Sequence, residues 1–260
     1  MRVATWNLNV RKNTAAQVQA VLKAGADVAA FQEVSVRTWP GLQQALAQAG
    51  LIHVTTGCGE AGEPGTLDRF VVVASRWPLR ECSQASIPAP ECVVAAVVDA
   101  PGGEFDFVNA HIPTIARGQP LKLATQEGVA ARLRQAATRP TIFCGDLNSP
   151  IGETPEGEPI PFSAKRDLRG RAAELSILSG LAEHGMYDAY RRLNGAAADD
   201  RSWWWKNRGR TGGFRLDHIF VSREFEVTAC SYDHSVRAER LSDHSLMVAD
   251  VTFRSDRIEG

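Results

Sequence analysis

Apolar residues in this chain fall into short runs with two-residue alternation near 2–8, 27–33, 51–56, 70–75, 92–99, 105–111, 140–146, 202–206, 215–222, 225–232 and 245–253, which predicts strands. Helical spacing appears near 14–24, 39–49, 121–137 and 167–184. Thr14 and Thr38 stand where N-caps belong, and Gly25 and Gly50 follow the first two helices as C′ residues. The runs 92–99 and 105–111 are joined by PGGE, a hairpin connection, so the sheets are expected to be antiparallel or mixed. The predicted class is α/β, with helices covering the outer faces of two packed sheets.

Strand phase singles out particular polar groups, because alternate residues share a face. Asp146 continues the face of Ile142 and Cys144, Asn7 that of Val3 and Thr5, Glu33 that of Ala29 and Phe31, and His111 that of Phe105, Phe107 and Asn109. Asp217 shares a face with Ile219 and Val221, and His244 precedes Leu246 and Val248 in phase. A carboxylate among aliphatic side chains is costly unless a cation or a hydrogen-bond donor meets it, so these groups are expected to meet one another.

With 260 residues and 44% hydrophobic content the chain can bury one sizeable core, and no linker-like break divides it, so a single domain spanning 1–260 is expected. CGEAGEPGT (58–66) and SPIGETPEGEPIPFS (149–163) read as surface loops, the second long enough to suspect a function. The start MRVATWNLNV alternates like a strand and lacks a signal-peptide pattern, and no apolar stretch is long enough to span a bilayer. A soluble, cytoplasmic monomer without membrane insertion is expected. Five scattered cysteines lack zinc-site spacing and read as free thiols. A net charge of -1 gives no global attraction to nucleic acid, so any basic surface must be local.

Glu33 and Asp243 are hard oxygen donors and Asn7 can orient one of them, a set that suits Mg²⁺, with Mn²⁺ as substitute, better than zinc. Asp217 could fix the tautomer of His244 and raise its basicity. Each group also has a plainer reading: Asn7 and Asn109 as satisfiers of backbone groups at a sheet edge, Asp217 as an ion-pair partner of Arg215 or Arg237, and His111 as a core histidine. His218 points to the opposite face from Asp217 and reads as structural.

The stretches WNLN (6–9), QEV (32–34), NAHIP (109–113), GDLNSP (145–150), RLDHIFVS (215–222) and SDHSLMVAD (242–250) resemble, in order, the motifs of the endonuclease/exonuclease/phosphatase superfamily, and they span nearly the whole chain. The resemblance implies a four-layered α/β sandwich, with two packed mixed β-sheets flanked by helices, that hydrolyses a phosphoester with Mg²⁺. It places Glu33 as main metal ligand with Asn7 and Asp243 assisting, Asp146 and Asn148 beside the attacking water and the phosphate, and Asp217 with His244 as an Asp-His pair. Asn9, which stands in WNLN where some relatives carry aspartate, and Asn109 are further candidate substrate-binding residues.

RSWWWKNRGRTGGFRLDHIFVS and the upstream GLAEHGMYDAYRRLN look like the exonuclease III branch. Between 201 and 215, Arg201, Lys206, Arg208, Arg210 and Arg215 are interleaved with Trp203, Trp204 and Trp205 and no acid intervenes. Lys206, Arg208 and Arg210 can pair with backbone phosphates or form only a solvated turn. Trp203 and Trp205 share a face, so either Trp204 or that pair is exposed to stack on bases, and DNA is the expected substrate. One departure bears on this. NAHIP carries His111 where the exonuclease III branch usually has tyrosine, which resembles the deoxyribonuclease I, sphingomyelinase and phosphatase branches, where histidine contacts the phosphate or protonates the leaving group. A phosphatase or phosphodiesterase acting on a small or lipid phosphate is therefore the alternative, and a catalytically dead binding protein the third reading. Glu33, Asp146 and His244 are all present, against the last.

Overall fold

The computed structural model describes residues 1–57, 68–82, 87–135 and 139–254, so the 58–66 loop and Cys58 lie outside the described residues. Alternation along the strands sorts apolar side chains into three clusters, and these define the layers. Val3, Ala30, Val71 and Val73 of one sheet meet Phe105, Phe107, Ile142 and Ile219 of the other in the central cluster. On the outer side of the first sheet, Trp6, Phe31 and Val72 pack on Val18, Val21, Leu42 and Leu46 of the helices Thr14–Lys23 and Trp39–Gln48. Outside the second, Val108, Phe143 and Phe220 pack on Val129 and Leu133 of the helix Gln119–Gln135. The result is a helix–sheet–sheet–helix sandwich. Fully burying one such aliphatic or phenyl side chain contributes about 1.5–3 kcal/mol. No helix among the described residues is long and apolar enough to cross a membrane.

Among the described residues each main sheet has six strands. The first runs Phe225–Asp233, Leu246–Phe253, Arg2–Asn7, Val28–Ser35, Arg69–Ser75, His53–Thr56, and the second Met186–Asp188, Asp217–Ser222, Thr141–Asp146, Gly103–His111, Val93–Ala100, Leu79–Glu81. Each contains a parallel pair at its centre: Arg2–Asn7 beside Val28–Ser35, and Gly103–His111 beside Thr141–Asp146. Parallel neighbours deliver their C-terminal ends to one edge, so Asn7 lies opposite Gln32 and His111 opposite Asp146. Asp217 opens an antiparallel strand directly across from Asp146. Gly145, at φ +140°, is required here, because a Cβ would lie 1.9 Å from the Ala110 carbonyl oxygen of the neighbouring strand.

Simple alternation fails at two site residues. Phe31 and Val34 both face the outer helices, and the ladder shifts register between them, so a bulge inserts Glu33. Glu33 adopts φ +54° and leaves the face of Ala29 and Phe31 on which strict phase placed it. His244 likewise stands ahead of the strand Leu246–Phe253 and turns away from the outer face of Leu246 to reach Asp217 on the other sheet.

Smaller corrections concern caps and short elements. Asn13, one residue before Thr14, caps the first helix, its Oδ1 accepting from Ala16 N at 3.4 Å. Thr38 occupies its N-cap position, but its hydroxyl accepts from Ser35 N at 3.1 Å instead of capping. Gly25 and Gly50 are left-handed, both at φ +75°, as C′ residues should be. The 167–184 helix is Leu168–Ser176 followed by a 3₁₀ turn Ser179–His184, a break that lets Ile177, Leu178 and Leu181 all enter the outer core. The basic stretch after Trp205 is a hairpin: Trp203–Asn207 pairs with Arg210–Phe214 across a turn whose two residues, Arg208 and Gly209, both have positive φ, as tight hairpin turns demand.

Candidate active site

Two adjoining groups of side chains occupy the edge where the parallel strands end. In the first, His244 Nδ1 and Asp217 Oδ2 are 2.8 Å apart, with Asp217 fully buried and His244 nearly so. The other imidazole nitrogen, Nε2, lies 3.8 Å from Asp146 Oδ2. Asn7 Nδ2 donates to that same Asp146 oxygen at 2.8 Å, and Asp146 Oδ1 accepts from Asn148 N at 2.9 Å. Burial opposes both charges of the Asp-His pair and pushes Asp217 up. The imidazole gains more from Asp217, Asp146 and Asp243 than burial removes, so its pKa rises to about 10 and the shared proton rests on His244.

In the second group, His111 Nε2 lies 3.7 Å from Glu33 Oε1 and 3.8 Å from Asp146 Oδ2, beyond hydrogen-bond range and close enough for a bound group to bridge. Glu33 Oε2 accepts from the Arg69 guanidinium. Positive φ among non-glycine residues collects here, at Asn9, Val10, Glu33 and Asn148. Such conformations cost about 1–3 kcal/mol each and persist where the surroundings enforce them. Asn148 is held by its Nδ2 donating to Ile112 O at 2.9 Å, and Asn9 by its N–H on Asn7 Oδ1 at 2.8 Å.

A supporting set was not singled out in the sequence, although two of its members, Trp6 and Ser242, open the stretches WNLN and SDHSLMVAD. Ser202 Oγ accepts from the N–H groups of Leu216 and Asp217, Tyr232 donates to Asp217 O at 2.7 Å, and Trp6 Nε1 donates to His244 O at 3.0 Å. Ser242 Oγ donates to Asn7 O and accepts from His244 N, tying the turn ahead of Leu246–Phe253 to the end of the neighbouring strand Arg2–Asn7. Lys122, nearly buried and with its pKa lowered by that burial, donates to Asn148 O at 2.9 Å and fixes the turn after Asp146. These residues lie in other elements and come together only through tertiary contact. Arg69 belongs with them.

Several expected residues take different positions. Asn109 is fully buried and clamps the sheets together, donating to Phe31 O and Val72 O and accepting from Gln32 Nε2. The plainer reading of Asn109 as a satisfier of backbone groups is therefore the observed one, and its carboxamide does not open onto the site. Trp204 has the Arg237 guanidinium 3.9 Å from its ring centroid and meets His234 edge-on, so one of its faces is already covered. It is Trp203 that touches the site. Its Nε1 donates to Asp243 Oδ2 at 3.1 Å, its ring stacks on Phe214, and its backbone bridges to His244. Lys206, Arg208 and Arg210 are exposed on the hairpin tip as expected. Arg201 pairs with Asp199, and Arg215 is buried between Glu153 and Asp188, so neither joins that edge. His218 does face the other way, as expected, with Nε2 on the carbonyls of Ser149 and Arg215.

The donor set fits a hard divalent cation. Asp243 Oδ1 and Asp217 Oδ1 are buried carboxylate oxygens without a hydrogen-bond partner, and the other candidate ligands, Glu33 and Asn7, offer oxygens and no thiolate. Among the described residues, the ligand-like atoms of Asp146, Asp217 and His244 lie within 4.8 Å of one another. Asp217 and His244 already satisfy each other there, which leaves the Glu33 side as the open one.

Two facing mixed sheets with an acid–imidazole cluster at one edge define a hydrolytic phosphoesterase, and residues 4–244 match the Endonuclease/Exonuclease/phosphatase family, to which the chain belongs. It is 26% identical to the exodeoxyribonuclease III of Haemophilus influenzae over 96% of this chain and 99% of that one. A DNA-(apurinic or apyrimidinic site) endonuclease of Dictyostelium discoideum is 31% identical over 46% of this chain, a match that spans 35% of that protein. The fold is shared with an AP endonuclease from Archaeoglobus fulgidus at TM-score 0.73 and 20% identity, covering 97% and 99% of the two chains.

Proposed function

We propose that the protein is a Mg²⁺-dependent DNA phosphodiesterase that cuts at abasic sites or from duplex ends, with Mn²⁺ as a substitute. The observation that carries this reading is the seating of the aromatic and basic hairpin on the site. The backbone bridge from Trp203 to His244 puts the stacked Trp203 and Phe214 rings beside the acid–imidazole cluster, with Lys206, Arg208 and Arg210 exposed beyond them. That arrangement suits a polyanion threaded past the reacting phosphate. The names of the relatives agree with it.

Glu33, with Asp243 and Asn7, would hold the cation, which supplies charge to polarise the phosphate and its non-bridging oxygens. Asp146 is the base. It lies 3.8 Å from both imidazoles, and Asn7 and Asn148 N hold its carboxylate, whereas the charges of Asp217, Asp146 and Asp243 favour the protonated form of His244. Asp146 accepts the proton of a water whose oxygen bonds to phosphorus as the bond to the leaving oxygen breaks. The charged His244, oriented by Asp217, and the Asn148 side chain stabilise the phosphate oxygens. His111, whose Nε2 lies 3.7 Å from Glu33 Oε1 and 3.8 Å from Asp146 Oδ2, protonates the leaving oxygen.

The test is hydrolysis, with Mg²⁺ and with a chelator, of duplex DNA bearing one abasic site, intact duplex DNA, and a generic small phosphodiester. Chelator-sensitive cutting of the abasic strand or from the duplex end is expected. Intact DNA beside a cleaved small diester would instead favour the small-phosphate reading that His111 supports.

A further inference from the structure

The geometry points to Arg69 as a coupling residue: its guanidinium holds Glu33 when the site has no cation and is released to a substrate phosphate when the cation arrives. Arg69 opens the strand Arg69–Ser75 and pairs with Ser35 across the ladder, so the bulge that turns Glu33 out aims its carboxylate at Arg69. Glu33 is the acid that Arg69 meets among the described residues, with side-chain exposures of 32% for Arg69 and 16% for Glu33. A partly desolvated carboxylate needs a counter-charge, and the guanidinium supplies it.

The same guanidinium also borders an open cleft of about 870 Å³, in which, among the described residues, Lys12 and Arg37 are the other cations and Asp68 the acid. Arg69 therefore has two positions available to its flexible stem, one on Glu33 and one in a cationic cleft that suits a phosphate of the substrate backbone. A cation held by both oxygens of Glu33 and a phosphate on Arg69 each require the Arg69 contact with Glu33 Oε2 to break. Whichever binds first removes that cost for the second, so the two ligands help each other, and to the same degree in both directions.

The inference rests on the reading that Glu33 holds the divalent cation, and the test separates the two. Mn²⁺ binding is measured by electron paramagnetic resonance on the full chain, without DNA and then with a duplex carrying uncleavable phosphorothioate linkages. For the natural protein the duplex should tighten Mn²⁺ by about fivefold or more. Arg69→Met should bind Mn²⁺ more tightly by a similar factor without DNA and gain little from the duplex, while Arg69→Lys, which keeps the charge, stays nearer the natural protein. Melting curves in chelator check folding, and Arg69→Gln replaces the Met variant if that one fails to fold. Equal Mn²⁺ affinities in the natural protein and the Met variant, or no effect of the duplex on the natural protein, overturn the coupling alone. Absence of Mn²⁺ binding in every variant overturns the metal reading and the coupling with it.

Discussion

Arg215→Met replaces the cation at the centre of a buried cluster by an apolar side chain of similar length. Arg215 is 5% exposed, and its guanidinium donates to Asp188 Oδ2 at 2.7 Å and to both oxygens of Glu153, at 2.7 and 3.3 Å. Removing one partner of a buried ion pair costs about 3–5 kcal/mol because the other charge stays behind. Here the acids keep some support. Arg191 still pairs with Glu153, and Asp188 still accepts from Tyr190 N and Arg191 N. The expected loss is therefore near the lower end, about 3 kcal/mol at neutral pH.

The pH dependence gives a sharper check on this cluster. Burial works to raise Glu153, but its hydrogen bonds to Arg191 and Arg215 win and hold it at about 2, and Asp188 is likewise held well below the usual carboxylate range, burial there being outweighed first by the charge of Arg215. A group whose folded pKa is depressed contributes stability above its unfolded value, 4.5 for Glu153, and loses it as pH falls toward the folded value. The gap between natural protein and variant should thus be full above about pH 5 and shrink markedly by about pH 3. Urea denaturation at both pH values reads it. A gap under about 1 kcal/mol at neutral pH, or one undiminished in acid, would refute the argument.

Two further outcomes concern the site. Asp217→Asn and His244→Gln should each lower kcat/KM by about 10- to 150-fold, the equivalent of a charge-assisted hydrogen bond of about 1.5–3 kcal/mol, and the double variant should be little worse than either. Additive losses in that cycle would show that the pair does not act as a unit. Replacing Lys206, Arg208 and Arg210 together by Gln should flatten the plot of log affinity for duplex DNA against log salt by about two to three, with the melting temperature unchanged. An unchanged slope would remove the hairpin tip from the DNA interface.

Asp146, Asp217, Asn7 and His111 could be placed from the chain alone because each ends or begins a regular strand, and period-two alternation carries a side chain's face to the strand's last residue. Two packed sheets with outer helices followed from the same counting. Glu33 and His244 are the instructive failures. Both were identified by residue type and neighbouring motif, but on the wrong face, since a bulge and a turn reset the phase by one residue and neither leaves a mark in local sequence.

The sorting of the basic residues between 201 and 215 was equally hidden. Arg215 and Lys206 look alike in the sequence, but only Arg215 finds two acids, Glu153 and Asp188, brought from distant segments. The same holds for Arg69, Lys122 and Ser202, whose roles depend wholly on what folding places against them. Which elements form, and which chemistry they carry to an edge, is settled by local periodicity and residue type. Which charges pair, which carboxamide is sealed in and where a proton rests depend on distances between segments far apart in the chain, and such distances exist only once the two sheets have packed.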